Sequence, residues 1–341
     1  MASANQARRA DIYDVAKLAG VSHQTVSRVI NQRDGVREKT KSRVLDAMAQ
    51  LDYRPNVLAQ GLAGRRSRTI GVLTFDTRMY GPSSTLMAIE ASGKQAGYRI
   101  AVATLKADDR HSVDEAISDL RSLRIDGAIV IAPTERTARA IDALPSEVPV
   151  VALEAEVRED VPTVAVDQVA GAYMATNHLI ELGHETVWHV AGPQDWREAQ
   201  LRVVGWREAL ATHDIPAPAV LQGDWSARSG YEAGRELAER SDVTAIFVAN
   251  DHMALGVLYA MHEKGKRVPE DVSVVGFDDI PGSDFCIPPL TTIRQDFDEV
   301  GRRGLAELIA QIDGTSDGQL TRPITPSLVL RGSTAIFRGV R

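Results

Sequence analysis

The sequence of 341 residues contains a single cysteine, Cys286, so no disulfide can form within one chain. A lone cysteine is typical of a reducing compartment, where it is usually a small buried residue. No apolar run reaches the roughly 18 residues of a membrane span, and the small, polar residues 1–10 lack the apolar core of a signal peptide. We therefore expect a cytoplasmic protein with no membrane partner.

Motifs of catalysis and of nucleotide binding are also missing. No G-x-G-x-x-G follows an apolar run, and there is no P-loop. Residues 314–318 match G-x-S-x-G formally, but they are polar and follow a helical pattern, whereas the nucleophile elbow needs a buried strand before it. His178, His184 and His189 do not have zinc-motif spacing. We expect no enzymatic activity, no cofactor and no metal.

Charge is distributed unevenly along the chain, whose net charge is −7. Residues 1–68 hold thirteen Lys and Arg against six Asp and Glu, a charge of +7, so the remainder carries −14. A basic head on an acidic body places any phosphate-contacting surface at the N-terminus. The charge alone is equally consistent with a solvated basic arm.

Residues 1–55 predict a head of three short helices. Helix 12–19 begins after the N-cap Asp11 and stops at Gly20, helix 23–30 is capped by Ser22, and helix 38–51 opens after Arg37, which cannot cap but could contact phosphate. The residues expected to face inward are Val15, Leu18, Ala19, Val26, Val29, Ile30, Val44, Leu45, Met48 and Leu51.

The second helix has the side chains of a helix-turn-helix recognition helix. Residues near the N-terminus of such a helix reach base edges in the major groove, here His23, Gln24 and Thr25. Gln24 can pair with adenine, and Arg28, one turn on, with guanine. We expect phosphate contacts from the short polar side chains of Ser22, Thr25, Ser27 and Asn31. Tyr13 could add a phosphate or base-edge contact from the first helix.

From Thr69 onward, short apolar runs alternate with amphipathic stretches, which predicts an α/β body with parallel sheets and right-handed crossovers. The units are too many for one small sheet, so we expect two doubly wound lobes with a ligand cleft between them. The predicted strands are 70–75, 100–104, 128–132, 150–153, 187–191, 245–249 and 272–277, and the predicted helices are 83–97, 112–123, 168–183, 198–213, 227–240, 252–265 and 295–312.

Several long strings carry a family resemblance. In the head they are IYDVAKLAGVSHQTVSRVIN at 12–31 and the strings at 39–40, 47–49, 51–56 and 59–64. In the body they are the strings at 191–193, 201–202, 205–206, 223–227, 248–251, 253–256, 272–279, 288–293 and 295–297. Together they closely resemble the LacI/GalR family of bacterial repressors, over nearly the whole chain. The resemblance implies a helix-turn-helix head, a hinge helix and a two-lobed body similar in fold to periplasmic sugar-binding proteins.

The resemblance assigns residues 56–68 to a hinge helix and linker. In the family, the segment matching 56–64 becomes helical when docked on operator DNA, and the residue matching Leu62 wedges into the minor groove. A helix of about nine residues is too short to be stable alone, and apolar side chains can unstack base steps. An ordinary linker is the alternative. The expected DNA contacts here are Asn56, Ala59, Leu62 and Ala63.

The resemblance also implies an effector pocket between lobes 69–166 plus about 297–323 and 167–296 plus about 324–341. It assigns ligand contacts to Arg202, Asn250 and Asp278, whose donors and acceptors suit adjacent sugar hydroxyls. Expected around them are Glu154, where relatives have a shorter acid, and the residues Trp196, Trp225, Gln295 and Phe297.

Structural roles compete with these assignments. Arg202 and Asp278 could form a structural ion pair, Asn250 could cap a helix while also binding ligand, and Trp206 is expected in the core rather than at the ligand. Residues 195–202 resemble relatives that sense β-galactosides or β-glucosides, so a sugar of that kind is the expected effector.

The expected function is repression of a sugar-catabolic operon. We expect a homodimer to bind a near-palindromic operator and a small sugar to release the homodimer from that operator. The C-terminal leucine heptads of a tetrameric member of the family have no counterpart before Arg341, so we expect a dimer rather than a tetramer. Corepression is an open alternative. Three further alternatives come from other classes of protein: a sugar-binding transport component, an α/β enzyme with a helical accessory domain, and an architectural DNA protein.

Overall fold

The computed structural model describes residues 10–30, 35–53, 66–75, 78–105, 110–132, 134–155, 160–316 and 322–338. They divide into a small head within residues 1–67 and a body within residues 68–341. The predicted contacts Asn31, Asn56, Ala59, Leu62 and Ala63, and the whole predicted hinge, lie outside the described residues.

The head consists of α1 (Ile12–Ala19), α2 (His23–Ile30) and α3 (Glu38–Gln50), as predicted. Asp11 and Asp14 form a reciprocal capping box, Gly20 ends α1 in the left-handed conformation, and the Ser22 hydroxyl accepts from the Thr25 amide at 3.2 Å. The buried core consists of Val15, Ala16, Ala19, Val26, Val29, Val44 and Ala47.

Two leucines predicted in that core are outside it. Leu18 is 50% exposed and Leu45 is 49% exposed, while Ala16 and Ala47 take the inward positions. The buried faces follow the i, i+3, i+4 spacing from Ile12 and from Val44, and both leucines fall beside that stripe.

The first sheet of the body has five parallel strands in the order β2-β1-β3-β4-β5. The strands are β1 (Thr69–Phe75), β2 (Arg99–Leu105), β3 (Gly127–Ile131), β4 (Val150–Leu153) and β5 (Thr163–Val164), connected by α4 (Tyr80–Gln95), α5 (Arg110–Ser122) and α6 (Glu135–Ala143). Neither β5 nor α6 was predicted, since β5 has two residues and the α6 sequence is rich in charge.

The second sheet has six strands in the order β11-β10-β9-β8-β6-β7, with only β11 antiparallel. The strands are β6 (Trp188–Ala191), β7 (Leu221–Gln222), β8 (Ala245–Val248), β9 (Ser273–Asp278), β10 (Thr291–Arg294) and β11 (Ser327–Val329), and the helices are α7 (Gln168–Glu181), α8 (Arg197–Thr212), α9 (Ala227–Ala238) and α10 (Asp251–Glu263). Strands β7, β10 and β11 were not predicted.

The last helix, α11 (Phe297–Asp313), packs on α4 and on strands β3, β4 and β5 of the first sheet, although the chain reaches it from β10 of the second sheet. Two parallel sheets flanked by helices and an all-α head confirm the predicted fold class. Trp206 is fully buried in the second lobe, as expected, whereas Cys286 is only partly buried.

A close helix crossing in the second lobe yields a stability prediction. A Cβ on Gly256 of α10 would overlap the Ala227 carbonyl oxygen of α9, and backbone cannot yield as a side chain does. We expect Gly256→Ala to lower the free energy of unfolding by about 3 kcal/mol and the thermal midpoint by roughly 6 °C. Leu255→Ala, at a partly exposed neighbour, should cost under about 0.5 kcal/mol; equal losses for the two variants would contradict the prediction.

Candidate functional site

Helix α2 presents a polar surface to solvent. His23, Gln24 and Arg28 are exposed, and one turn separates the last two along the same face. The ring of Tyr13, 63% exposed on α1, lies 5.2 Å from that of His23. The Ser22 and Thr25 hydroxyls are 2.9 Å apart at the start of the helix. This placement suits contacts to base edges and phosphates, and the specific assignments stay predictions.

A cavity of about 450 Å³ lies in the body, lined by elements of both lobes. In the second lobe, Trp225 and Asn250 follow β7 and β8, and Asp278 is the last residue of β9. The first lobe contributes Glu154, which follows β4. Parallel sheets bind ligands at these carboxyl ends. All eight residues predicted for the effector line this cavity: Glu154, Trp196, Arg202, Trp225, Asn250, Asp278, Gln295 and Phe297.

A closed ring of polar contacts forms the centre of the cavity wall. The Arg202 Nε donates to Gln168 Oε1 at 2.9 Å, and the Gln168 amide donates to Gln295 Oε1 at 2.7 Å. The Gln295 amide donates to Asp278 Oδ1 at 2.7 Å, and that oxygen lies 3.7 Å from Arg202 Nη2. A further guanidinium donor reaches the Ala249 carbonyl. The ring therefore fixes the orientation of the one arginine at the centre of the cavity.

Asn250 has a structural role alongside its place in the wall. Its Oδ1 accepts from the Met253 amide at 2.9 Å and caps α10, while its Nδ2 donates to the Trp225 carbonyl at 3.1 Å. Arg202 therefore pairs with Asp278 and Asn250 caps α10, and both residues also line the cavity. Trp225 and Trp196 meet edge to face, with centroids 5.7 Å apart, and give the cavity wall an aromatic surface.

Three residues of the cavity wall have a left-handed backbone conformation. Glu154, Trp225 and Asp278 have φ values of 52°, 72° and 109°, in the region that favours glycine. A non-glycine residue there costs on the order of 1–3 kcal/mol and persists only where the surroundings hold it, as at ligand sites. Three of the eight predicted residues are therefore held in unfavourable backbone conformations.

Burial raises the pKa values of three carboxyl groups in the cavity wall. Desolvation raises the pKa of Glu154 to about 8, helped by the nearby Glu198 charge, and raises the pKa of Glu198 to about 7. Desolvation also raises the pKa of Asp278 to about 7, although Arg202 opposes this rise. The Arg202 pKa is lowered by burial, but the surrounding acids favour its charged form. Near neutral pH the cavity thus holds carboxyls that can donate as well as accept.

The pKa of Glu154 leads to a prediction on stability. The folded state keeps the proton up to about pH 8, whereas an unfolded glutamate loses it near 4.5, so the contribution of Glu154 is lost as pH rises through this window. Glutamine resembles the protonated acid and does not titrate. Glu154→Gln should therefore match the wild type near pH 4.5 and unfold at a temperature several degrees higher at pH 8.

Differential scanning calorimetry from pH 4.5 to 8.5 measures this difference. Glu208→Gln makes the same chemical change at an exposed position of α8 and should show no pH-dependent gain. A constant offset between Glu154→Gln and the wild type at every pH would contradict the prediction.

Sequence reasoning missed several lining residues. Gln168 opens α7 and bonds to Gln295, which is 127 positions away, so no local pattern signals the pair. Glu198 lies in the first turn of α8, two residues after Trp196 and four before Arg202, and the i, i+4 spacing to Arg202 was an available signal. Thr85 and Tyr80, both on α4, also line the cavity.

Two family models match the chain. The one for bacterial regulatory proteins of the lacI family covers residues 11–56, and the one for a periplasmic binding protein-like domain covers residues 176–334. The lactose operon repressor of Escherichia coli (strain K12) is 38% identical over 326 residues, which are 95% of this chain and 90% of that protein.

Solved structures are similar over the same extent. The lac repressor dimer bound to operator and the anti-inducer ONPF is 37% identical, with a TM-score of 0.87 over 96% of this chain and 100% of that one. The complex of the transcriptional regulator CelR with cellobiose is 30% identical, with a TM-score of 0.71 over 95% and 100%. Among the described residues, no helix has the length and hydropathy needed to cross a membrane.

Proposed function

The chain belongs to the lacI family of DNA-binding transcriptional regulators, and from this premise we propose that it is the repressor of a sugar-catabolic operon. A homodimer binds a near-palindromic operator, and a small sugar, a β-galactoside or β-glucoside, releases it. Lobes 69–166 plus about 297–323 and 167–296 plus about 324–341 enclose that sugar. The observation that carries the proposal is a cavity lined by all eight predicted effector residues, in one chain with an exposed recognition helix.

The DNA side of the proposal rests on α2. Gln24 and Arg28 offer the amide and guanidinium groups that pair with adenine and guanine, and both are exposed on a basic head. A relative of 37% identity was crystallised as a dimer on operator DNA. A two-fold dimer places two such helices on the half-sites of a palindrome, which supports the homodimer proposed here.

The sugar side rests on the chemistry of the cavity wall. Arg202, Asp278 and Gln295 present both donors and acceptors, and Trp196 and Trp225 supply aromatic faces. The volume of about 450 Å³ lies in the range of small-molecule sites. Relatives include the lactose operon repressor and a regulator solved with cellobiose, which favours a β-linked glycoside as effector.

The test is binding of the purified protein to an imperfect palindrome from its own upstream region, followed by fluorescence anisotropy. Lactose, cellobiose, methyl β-galactoside, methyl β-glucoside and their 6-phosphates are then titrated into the complex. We expect specific binding that one uncharged sugar abolishes, because a ligand that prefers the low-affinity state must weaken the operator complex by linkage.

The other outcomes separate the alternatives. A sugar that tightens operator binding would identify corepression instead of induction. Binding that no sugar changes would remove the effector assignment and leave the DNA-binding regulator. Affinity for the palindrome no higher than for random DNA, at moderate salt, would contradict the repressor assignment itself.

A further inference from the structure

One edge of the first sheet carries a group of exposed basic side chains. It is the edge at which the parallel strands begin, with Arg68 before β1, Arg99 at the start of β2 and Arg124 before β3. Lys94, in the last turn of α4, and Arg121, in the last turn of α5, are exposed at the same edge. We call these five residues the basic edge.

Hydrogen bonds of the backbone bring the members of the basic edge together. The Arg99 amide donates to the Arg68 carbonyl at 2.8 Å, and a Cβ on Gly97 would lie 3.2 Å from Arg68 Nη1. The Arg68 guanidinium therefore lies over the turn that connects α4 to β2. On the other side of β1, the Arg68 amide donates at 2.8 Å to the carboxylate of Asp126, two residues after Arg124. The basic edge is thus one continuous surface around the start of β1.

The charge of this surface is opposite to that of the body as a whole. Residues 69–341 carry a net charge of −14. Asp126 accompanies the five basic residues around β1, β2 and β3, whereas other acidic side chains are found farther along the edge. These are Glu147 and Asp160, which precede β4 and β5, and Asp313, which ends α11. Positive charge is therefore concentrated at the β2-β1-β3 half of the edge.

The helix dipole accounts for part of this pattern. A cation in the last turn of a helix is stabilised by the carbonyl groups that end it, which explains Lys94 and Arg121. Arg68, Arg99 and Arg124 lie outside helices, so the dipole does not explain them. Several exposed cations on one continuous surface are the arrangement that attracts a polyanion.

The position of the basic edge indicates which polyanion it meets. The chain passes from the head to the body at this edge, and the twelve residues 54–65 separate Tyr53 of the head from Arg66. A segment of that length spans at most about 45 Å. DNA held by the head is therefore tethered near a surface of opposite charge, so the DNA backbone is the partner that this surface fits.

We infer that the basic edge is a second DNA-contacting surface, whose exposed lysine and arginine side chains bind backbone phosphates of the duplex that the head holds. Such contacts carry no sequence information. They raise the affinity for the operator and for random DNA by a similar factor, and they add to the salt dependence of both complexes because each contact releases counterions from the duplex.

The test measures the affinity of full-length variants by fluorescence anisotropy over a series of salt concentrations. The probes are a duplex that carries the palindrome from the protein's own upstream region and a random duplex of equal length. Lys94→Gln combined with Arg99→Gln should weaken both complexes about 10-fold at about 0.1 M salt. The slope of log affinity against log salt concentration should become less steep by about 1 to 2.

A matched control removes two positive charges from another part of the body. Arg207→Gln combined with Arg228→Gln, at exposed positions of the second lobe, should leave the salt slope unchanged. Thermal midpoints show that each variant is folded. If loss of the 3.2 Å bond from Arg99 to Thr69 destabilises the first pair, Lys94→Gln with Arg121→Gln removes two members of the basic edge at helix ends and should have the same effect.

The remaining outcomes contradict the assignment. An unchanged affinity and slope in the basic-edge variants would overturn it, and so would an equal loss in the second-lobe pair, which would indicate an effect of net charge. A loss confined to the palindrome would indicate an effect through the head. A wild type that binds the palindrome no more tightly than random DNA would contradict the repressor assignment, while the variants on random DNA would still decide the role of the basic edge. A wild type that binds neither duplex would overturn both.

Discussion

Replacing Gln24 and Arg28 together by alanine should abolish specific operator binding and leave the fold intact. Both side chains are exposed on α2, away from the core formed by Val26 and Val29, so their loss leaves no cavity. Each bidentate contact to a base contributes about 1–3 kcal/mol of discrimination. The double variant should therefore lose on the order of 100- to 1,000-fold in operator affinity and bind the palindrome hardly better than random DNA.

A control double variant distinguishes the loss of base contacts from the loss of a positive charge. Arg43→Ala with Gln50→Ala removes the same two side chains from exposed positions of α3. Loss of one positive charge lowers affinity for any DNA to a similar extent in both double variants, whereas loss of specificity should be confined to the α2 pair. Equal preference for the palindrome in both double variants, measured by anisotropy against random DNA, would contradict recognition through α2.

Replacing Arg202 by leucine should abolish the effect of the sugar on operator binding. The guanidinium connects Gln168 to Asp278 and lies 3.9 Å over the Phe277 ring, so its loss opens the polar ring and leaves buried acids without their cation. Truncating one member of a buried charged pair typically costs 2–5 kcal/mol or more. We expect the effective sugar to bind at least about 100-fold more weakly, with operator binding retained at all sugar concentrations that release the wild type.

Two further variants distinguish loss of recognition from general damage. Arg202→Lys keeps the charge but cannot reproduce the fork of donors, so it should recover thermal stability more than sugar affinity. Arg207→Leu, at an exposed position of α8, should respond to sugar like the wild type. A normal sugar response in Arg202→Leu would remove Arg202 from the effector site.

Local signals were sufficient to predict most of the secondary structure. The bounds of α1 and α2 are confirmed because Asp11, Gly20 and Ser22 act through neighbours within about four residues. Strand β4 follows from a short apolar run. Strands β5 and β7 have two residues each, and β10 has the sequence TTIR rather than an apolar run, so their pairing depends on a sheet already in place.

The cavity was predicted in part. Arg202, Asn250 and Asp278 stand in strings that resemble the family, and all three line the cavity. Gln168 escaped prediction because its partners, Arg202 and Gln295, are 34 and 127 positions away. The double role of Asn250, as helix cap and as part of the wall, also depends on the Trp225 carbonyl from another loop.

The sequence by itself determined the α/β fold class, the helical head with its exposed Gln24 and Arg28, and the family, because periodicity, capping and motif strings act over short distances. Only the tertiary structure decided that Leu18 and Leu45 face solvent and that α11 packs on the first sheet. It also decided that Thr85, Glu198 and Trp225 carry buried polar atoms with no hydrogen-bond partner in the part of the chain that the structure describes. Burial and hydrogen-bond satisfaction depend on groups brought together by folding from distant parts of the chain.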